Sequence, residues 1–146
     1  MNSSERFKPV LKVAENREAS AARKFGLSQK QQHEEETKLE NLRQYHAEYL
    51  AKFQQSASTG MSAGQLREYQ AFLSKLELAI TDQEEVVRRS KQTSYQHKQE
   101  WTKKHIRTQS MDKAMGRMIA DEHKQQEALE QKMSDEVAQR IGRSTH

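Results

Sequence analysis

The sequence predicts an all-α protein, two long helices forming an antiparallel coiled-coil hairpin with a C-terminal helical overhang. Three observations carry this expectation. Heptad patterning runs uninterrupted over residues 7–53 and again over 66–129, and a single Gly/Ser/Ala-rich break, Ser56-Ala57-Ser58-Thr59-Gly60-Met61-Ser62-Ala63-Gly64, separates the two stretches. The composition, 33% hydrophobic and 32% charged, supplies a thin seam but not a core of several layers. A sustained 3.5-residue period selects a left-handed coiled coil over a buried globular helix.

The first helix is expected over residues 8–55. Steps of four and three give Phe7, Leu11, Ala14, Glu18, Ala21, Phe25, Ser28, Gln32, Glu35, Leu39, Leu42, His46, Tyr49 and Phe53, with apolar and aromatic residues concentrated at both ends. The lone Pro9 stands near the start, where a helix tolerates it. A turn is expected over residues 56–64. Ser62 and Gln65 match a capping box, so the second helix is expected to begin there and run over 65–141. Its seam reads Leu66, Tyr69, Leu73, Leu76, Ile80, Gln83 and Val87, then a polar patch, then Trp101, Met111, Met115, Met118 and Leu129. At 1.5 Å per residue the helices would run roughly 70 Å and 115 Å.

If the turn centres near Gly60, facing residues have numbers summing to about 120 in an antiparallel pair. That register sets Phe53 by Leu66, Phe25 near Tyr95, Leu11 near Met111, and Trp101 opposite the gap between Ala14 and Ala21. Small side chains there would leave room for an indole. Residues after about Gly116 would face no partner. Past Leu129 the spacing changes to i+4 steps, through Met133, Val137 and Ile141, which reads as a surface for something else. Gly116 sits where the hairpin would become a single helix, as a bending point or as a tolerated surface glycine.

Catalysis is not expected, because so thin a hairpin offers no pocket that excludes water, and phosphate-loop and elbow motifs are absent. No cofactor is implied. His33 and Glu36 lie on neighbouring turns, but no second ligand pair accompanies them, and a solvated face is the expectation. Met111, Met115 and Met118 keep the seam register and suit an adaptable contact surface better than a soft-metal site. The chain has no cysteine, no run of 18 apolar residues and no apolar signal segment at its N-terminus, so a soluble, cytoplasmic protein is expected.

Charge is uneven. Between Val86 and Arg117, nine Lys or Arg face only Glu100 and Asp112, a local balance of +7 within a chain of net charge +4. Such a basic shaft suits nucleic-acid phosphates, unspecifically and with steep salt dependence, or an acidic protein surface such as the mouth of a ring. From Asp121 to Glu136 the balance reverses, six acids against Lys124 and Lys132. Next to the turn, Phe72 and Ala79 widen the stripe of Leu73, Leu76 and Ile80, and Tyr45 stands beside Leu42 and Tyr49. A two-helix seam needs only a narrow stripe, so this shoulder either wraps the hairpin tip or docks a partner protein. Phe72, one step off the seam, is expected to be removable at little cost to the core.

The segment Leu39-Glu40-Asn41-Leu42-Arg43-Gln44-Tyr45-His46-Ala47-Glu48-Tyr49, the glycine-containing turn, and the stretch Leu66–Ile80 with its Tyr69-Gln70-Ala71-Phe72 resemble the FliJ proteins of bacterial flagellar type III export. Trp101 and the segment Glu130–Arg140 are similar too. The resemblance implies a non-enzymatic stalk, similar in shape to the central shaft of rotary ATPases. It would link the hexameric export ATPase (FliI-like) to the membrane export gate (FlhA-like), assist export chaperones, and lie peripherally at the inner membrane. Carried onto this chain, the gate-binding surface would be Leu42, Tyr45, Tyr49, Phe72, Leu76 and Ala79. The ATPase-ring contact would be Leu11, Trp101, Met111, Met115 and Met118. The alternatives are the equivalent stalk of a virulence secretion system and a nucleic-acid-binding coiled coil.

Overall fold

The computed structural model describes residues 2–144 and is all-α, with two helices, α1 (Ser3–Thr59) and α2 (Ala63–Ser144), and no strand among them. Two compact units divide the chain, Met1–Ser20 with Thr102–His146, and Ala21–Trp101. In each unit α1 and α2 lie against each other.

The seam of α1 follows the heptad walk. All fourteen of its expected positions, from Phe7 to Phe53, are buried or half-buried. On α2 the walk continues through the polar patch, where Ser90, Ser94, His97, Trp101, Lys104 and Thr108 take the inward positions. Ser94 and Thr108 are among the most buried residues, at 6% and 5% exposure. The patch therefore does not interrupt the seam; small hydroxyl residues carry it. Serine and threonine fit here because their hydroxyls bond back to carbonyls one turn earlier, as Thr108 does to Lys104 (2.9 Å) and Ser28 to Phe25 (2.8 Å). No buried side-chain polar atom lacks a partner among the described residues.

Helix bounds exceed the expectation at both ends. The connection is only Gly60-Met61-Ser62, because α1 continues through Ser56–Thr59. Ser58 bonds to the Gln55 carbonyl at 2.8 Å and Thr59 to that of Ser56 at 3.1 Å, so the residues that looked like a loop turn their hydroxyls onto the helix's own last carbonyls. Gly60 stops it with φ +104°, a left-handed conformation in which a Cβ would be strained. The capping box forms as expected: Gln65 N donates to Ser62 Oγ at 3.1 Å and Ser62 N to Gln65 Oε1 at 3.2 Å.

At the other end of α1, the helix starts at Ser3 and carries Pro9 inside it. Ser4 N, one of the amides that a helix N-terminus leaves unpaired, donates to Glu122 Oε1 at 2.9 Å, and Ser4 Oγ to Glu122 Oε2 at 2.6 Å. Pairing of the helices therefore reaches Glu122, not Gly116. Beyond it, residues 123–144 are exposed throughout, and Leu129, expected in the seam, is 53% exposed.

The facing pairs correct the register by a few residues toward the C-terminus of α2. Phe25 stacks on Trp101 at 6.2 Å between centroids, where Tyr95 was expected, and Tyr95 is exposed. Ala14 faces Thr108, whose hydroxyl reaches the Ala14 carbonyl at 3.4 Å. The indole of Trp101 is half-buried and lies against the Phe25 ring. The expectation failed because it centred the hairpin on Gly60, whereas α1 runs through Thr59 and the turn closes over Gly60–Ser62, later in the chain.

Candidate protein-docking surface

In the unit formed by Ala21–Trp101, five rings from the two helices assemble beside the turn. Tyr49 centres the cluster, with Phe72 at 4.3 Å, Tyr69 at 5.3 Å and Tyr45 at 6.1 Å. Tyr45 meets Phe72 edge-on at 5.9 Å, and Phe53 joins through Tyr69 at 5.7 Å. Tilted and edge-on geometries bring positive ring edges to negative ring faces and add about 0.5–1.5 kcal/mol per pair beyond area burial. The heptad walk of α1 places Tyr49 and Phe53 four residues apart on the seam, and Tyr45 four residues before Tyr49 on the adjoining shoulder. On α2, Tyr69 and Phe72 are one turn apart, so all five side chains converge on one flank.

Of the six residues carried from the family, Leu76 is buried at 8%, Leu42, Tyr49, Phe72 and Ala79 are half-buried, and Tyr45 is 48% exposed. Phe72, expected as a shoulder residue one step off the seam, packs against the rings of Tyr45 and Tyr49. Phe53 and Tyr69 belong to the same cluster, and the seam walk already contained both. Beside Tyr45, a shallow groove is lined by Lys38, Asn41, Leu42 and Gln83.

Below the rings the seam turns polar. Gln83 Nε2 donates to Glu35 Oε2 at 2.6 Å and to the Glu35 carbonyl at 3.0 Å; Gln31 Nε2 reaches Glu35 Oε1 at 2.8 Å and Lys38 Nζ lies 3.6 Å away. Glu35 is 7% exposed, and the Gln83 amide, helped by Lys38 and Gln31, holds its carboxyl below the usual carboxylate range. One inward-facing charge with a matched amide opposite fixes the register of a two-helix pair, as a polar seam residue does in a coiled coil. His46 adds a contact to Glu77 across the helices at 3.3 Å. Glu85, on the outside of α2, is held down to about 2 chiefly by Arg88, with Arg89 contributing.

In the unit formed by Met1–Ser20 and Thr102–His146, Met115 is buried at 7%, and Leu11, Met111 and Met118 are half-buried. Val10, Val13, Ala14 and Met111 floor a groove whose remaining wall is Arg17, Lys104 and Arg107. Glu18 and His105 pair across the helices there. Trp101, the fifth residue of the expected ring contact, belongs to the other unit, on Phe25. Among the described residues no cluster of His, Cys, Asp or Glu has the makings of a metal site, and no helix is long and apolar enough to cross a membrane.

Paired helices with half-exposed rings, charged flanks and open grooves define a helical-scaffold protein that presents surfaces along a two-helix pair. The sequence profile described as Flagellar FliJ protein matches residues 3–145, and the chain belongs to the FliJ family. Comparison with curated proteins and with solved structures returns no match. Membership associates the chain with flagellar type III export.

Proposed function

We propose that the protein is a non-enzymatic stalk of the flagellar export apparatus that connects the hexameric export ATPase with the membrane export gate and assists export chaperone cycling. The observation that carries this reading is the ring cluster beside the turn. Five aromatic side chains are far more than a pair of helices needs to stay together, and Tyr45 leaves about half its surface open on a cluster whose other rings are half-buried. Rigid aromatic side chains on a preformed surface are the residues that dominate protein–protein affinity. In this reading the gate docks on Leu42, Tyr45, Tyr49, Phe72 and Ala79, with Leu76 supporting them from beneath. Leu11, Met111, Met115 and Met118 face the ATPase ring, where methionine conforms to a socket of changing shape. The protein acts in the cytoplasm, held at the inner membrane through its partners.

The test is calorimetric titration of the soluble gate domain with Tyr45→Ala and, as a control, Leu78→Ala, whose side chain is 64% exposed away from the rings. Tyr45→Ala should weaken gate binding at least tenfold and leave ATPase binding intact, while Leu78→Ala changes neither. Equal gate affinity of Tyr45→Ala and the unaltered protein would refute the assignment.

A further inference from the structure

The overhang, residues 123–144, carries Leu129, Met133, Val137 and Ile141, each between 53% and 60% exposed, along one stripe of α2 past the Ser4–Glu122 contact. Glu130 and Glu136 flank that stripe, one on either side, at helical spacing from Met133. In the same unit the groove has the complementary chemistry. Val10 and Val13, each 48% exposed, and Met111 make its apolar end; Arg17, Lys104 and Arg107 make its basic end. The overhang cannot reach this groove within its own chain. α2 is unbroken to Ser144, and Glu122 is tied to Ser4, so the helix continues past the start of α1 and does not turn back.

We propose that, while the protein is not engaged with the ATPase ring, whose proposed contact shares Met111, the groove takes the overhang of a second copy of this chain, reciprocally, in a two-fold dimer. The charge and apolar sequence of the two surfaces sets the arrangement. With the two copies of α2 antiparallel and Leu129 set on Met111, Met133 falls at the level of Arg107 and Glu136 at that of Lys104. Because Ala14 faces Thr108 and Glu18 faces His105, Arg17 stands at the Lys104 level and Val10 and Val13 at the Met111 level. Leu129 then covers the apolar end, Met133 lies at the level of Arg107, and Glu136 enters the basic end beside Lys104 and Arg17. In the reverse direction, with Leu129 still on Met111, Glu136 would fall at the level of Met118, away from the basic end. The 22 exposed residues of the overhang extend about 33 Å at 1.5 Å per residue, longer than the groove, so each copy's overhang spans the other's site in full. Because each copy gives and receives the same contact, the assembly closes at two. The absence of cysteine from the chain makes the contact directly addressable.

Two measurements on the full chain test this. In sedimentation equilibrium the protein should dimerise, with a dissociation constant raised at least tenfold by Glu136→Arg or by Arg17→Glu, and recovered when both substitutions are combined. Both sites are exposed, and circular dichroism should show unchanged helicity for each variant. In cross-linking, Met133→Cys mixed with Val10→Cys should yield a mixed dimer with a short bismaleimide, and Met133→Cys mixed with Leu78→Cys should not. A protein that stays monomeric at every concentration overturns the proposal. So does cross-linking of Met133→Cys to itself without reaction at Val10→Cys, since the overhangs would then pair with each other, and so does failure of the combined charge exchange to restore association.

Discussion

At the scale of single residues, the ring of Phe72 shows how one step off a heptad position differs from exposure. Its centroid lies 4.3 Å from that of Tyr49 and its ring meets Tyr45 edge-on, so truncation removes two aromatic contacts and opens a gap under both tyrosines. Phe72→Ala should destabilise the protein by about 2 kcal/mol, less than the cost at a fully buried site because the side chain is half-buried. Thermal melting would register this as a lower midpoint, and an unchanged midpoint would mean the rings are not packed as described. Glu35 makes a second residue-level case. Its carboxyl is held below the usual range, first by Gln83, so the folded state binds its proton less readily than the unfolded chain does. Stability from this group is then fully present above the unfolded carboxylate range, near pH 4.5, and is lost as pH falls through the lowered folded value. Glu122 is shifted the same way by Ser4. Melting midpoints should therefore drop between about pH 5 and pH 3. Glu35→Gln should flatten part of that drop, whereas an equally steep profile in the variant would remove Glu35 from the account.

At the scale of elements, the heptad pattern placed fourteen inward residues of α1, from Phe7 to Phe53, though not the buried Ser4, because a coiled-coil seam depends on spacing and tolerates Ser28, Gln32 and Glu35 when their partners are right. The capping box at Ser62 was equally legible, since it rests on two residues three apart. What the pattern did not carry was the extent of each helix. Ser56–Thr59 looked like a loop by composition, yet hydroxyls that bond to preceding carbonyls let such a segment close a helix. The ring cluster was half legible: Tyr45, Tyr49 and Phe72 stood out as a wide stripe. Which of them is enclosed depends on the register across the helices, and a shift of a few residues changed that answer. Glycine within the helices gives a clean test of element stability. A Cβ at Gly26 or Gly116 would meet nothing within 4 Å, and neither residue has positive φ. Gly26→Ala and Gly116→Ala should each stabilise the protein by about 0.5–1 kcal/mol through reduced freedom of the unfolded chain. A rise in melting midpoint checks this, and a fall for Gly116→Ala would show that α2 uses that glycine to bend.

For the molecule as a whole, the consequential division is between chain that is held by a facing helix and chain that is not. Ser4 and Glu122 pair across the helices; the basic stretch before that pair lies alongside α1, and the 22 residues after it, 123–144, are exposed throughout. A protein ending after Glu122 should therefore melt at the same temperature as the full chain, measured dilute enough that association between copies does not contribute. A protein ending after Gly116 should melt lower, because it also loses Met118 from the seam and the carboxylate that receives both donors of Ser4, leaving the first turn of α1 uncapped. The two truncations separate folding from function. If the overhang serves contact alone, the chain ending after Glu122 should be fully folded yet impaired in a motility complementation assay. Wild-type swarming by that truncated chain would show that Leu129, Met133, Val137 and Ile141 have no part in export, and a lowered melting midpoint in dilute solution would show that the overhang packs on its own chain after all.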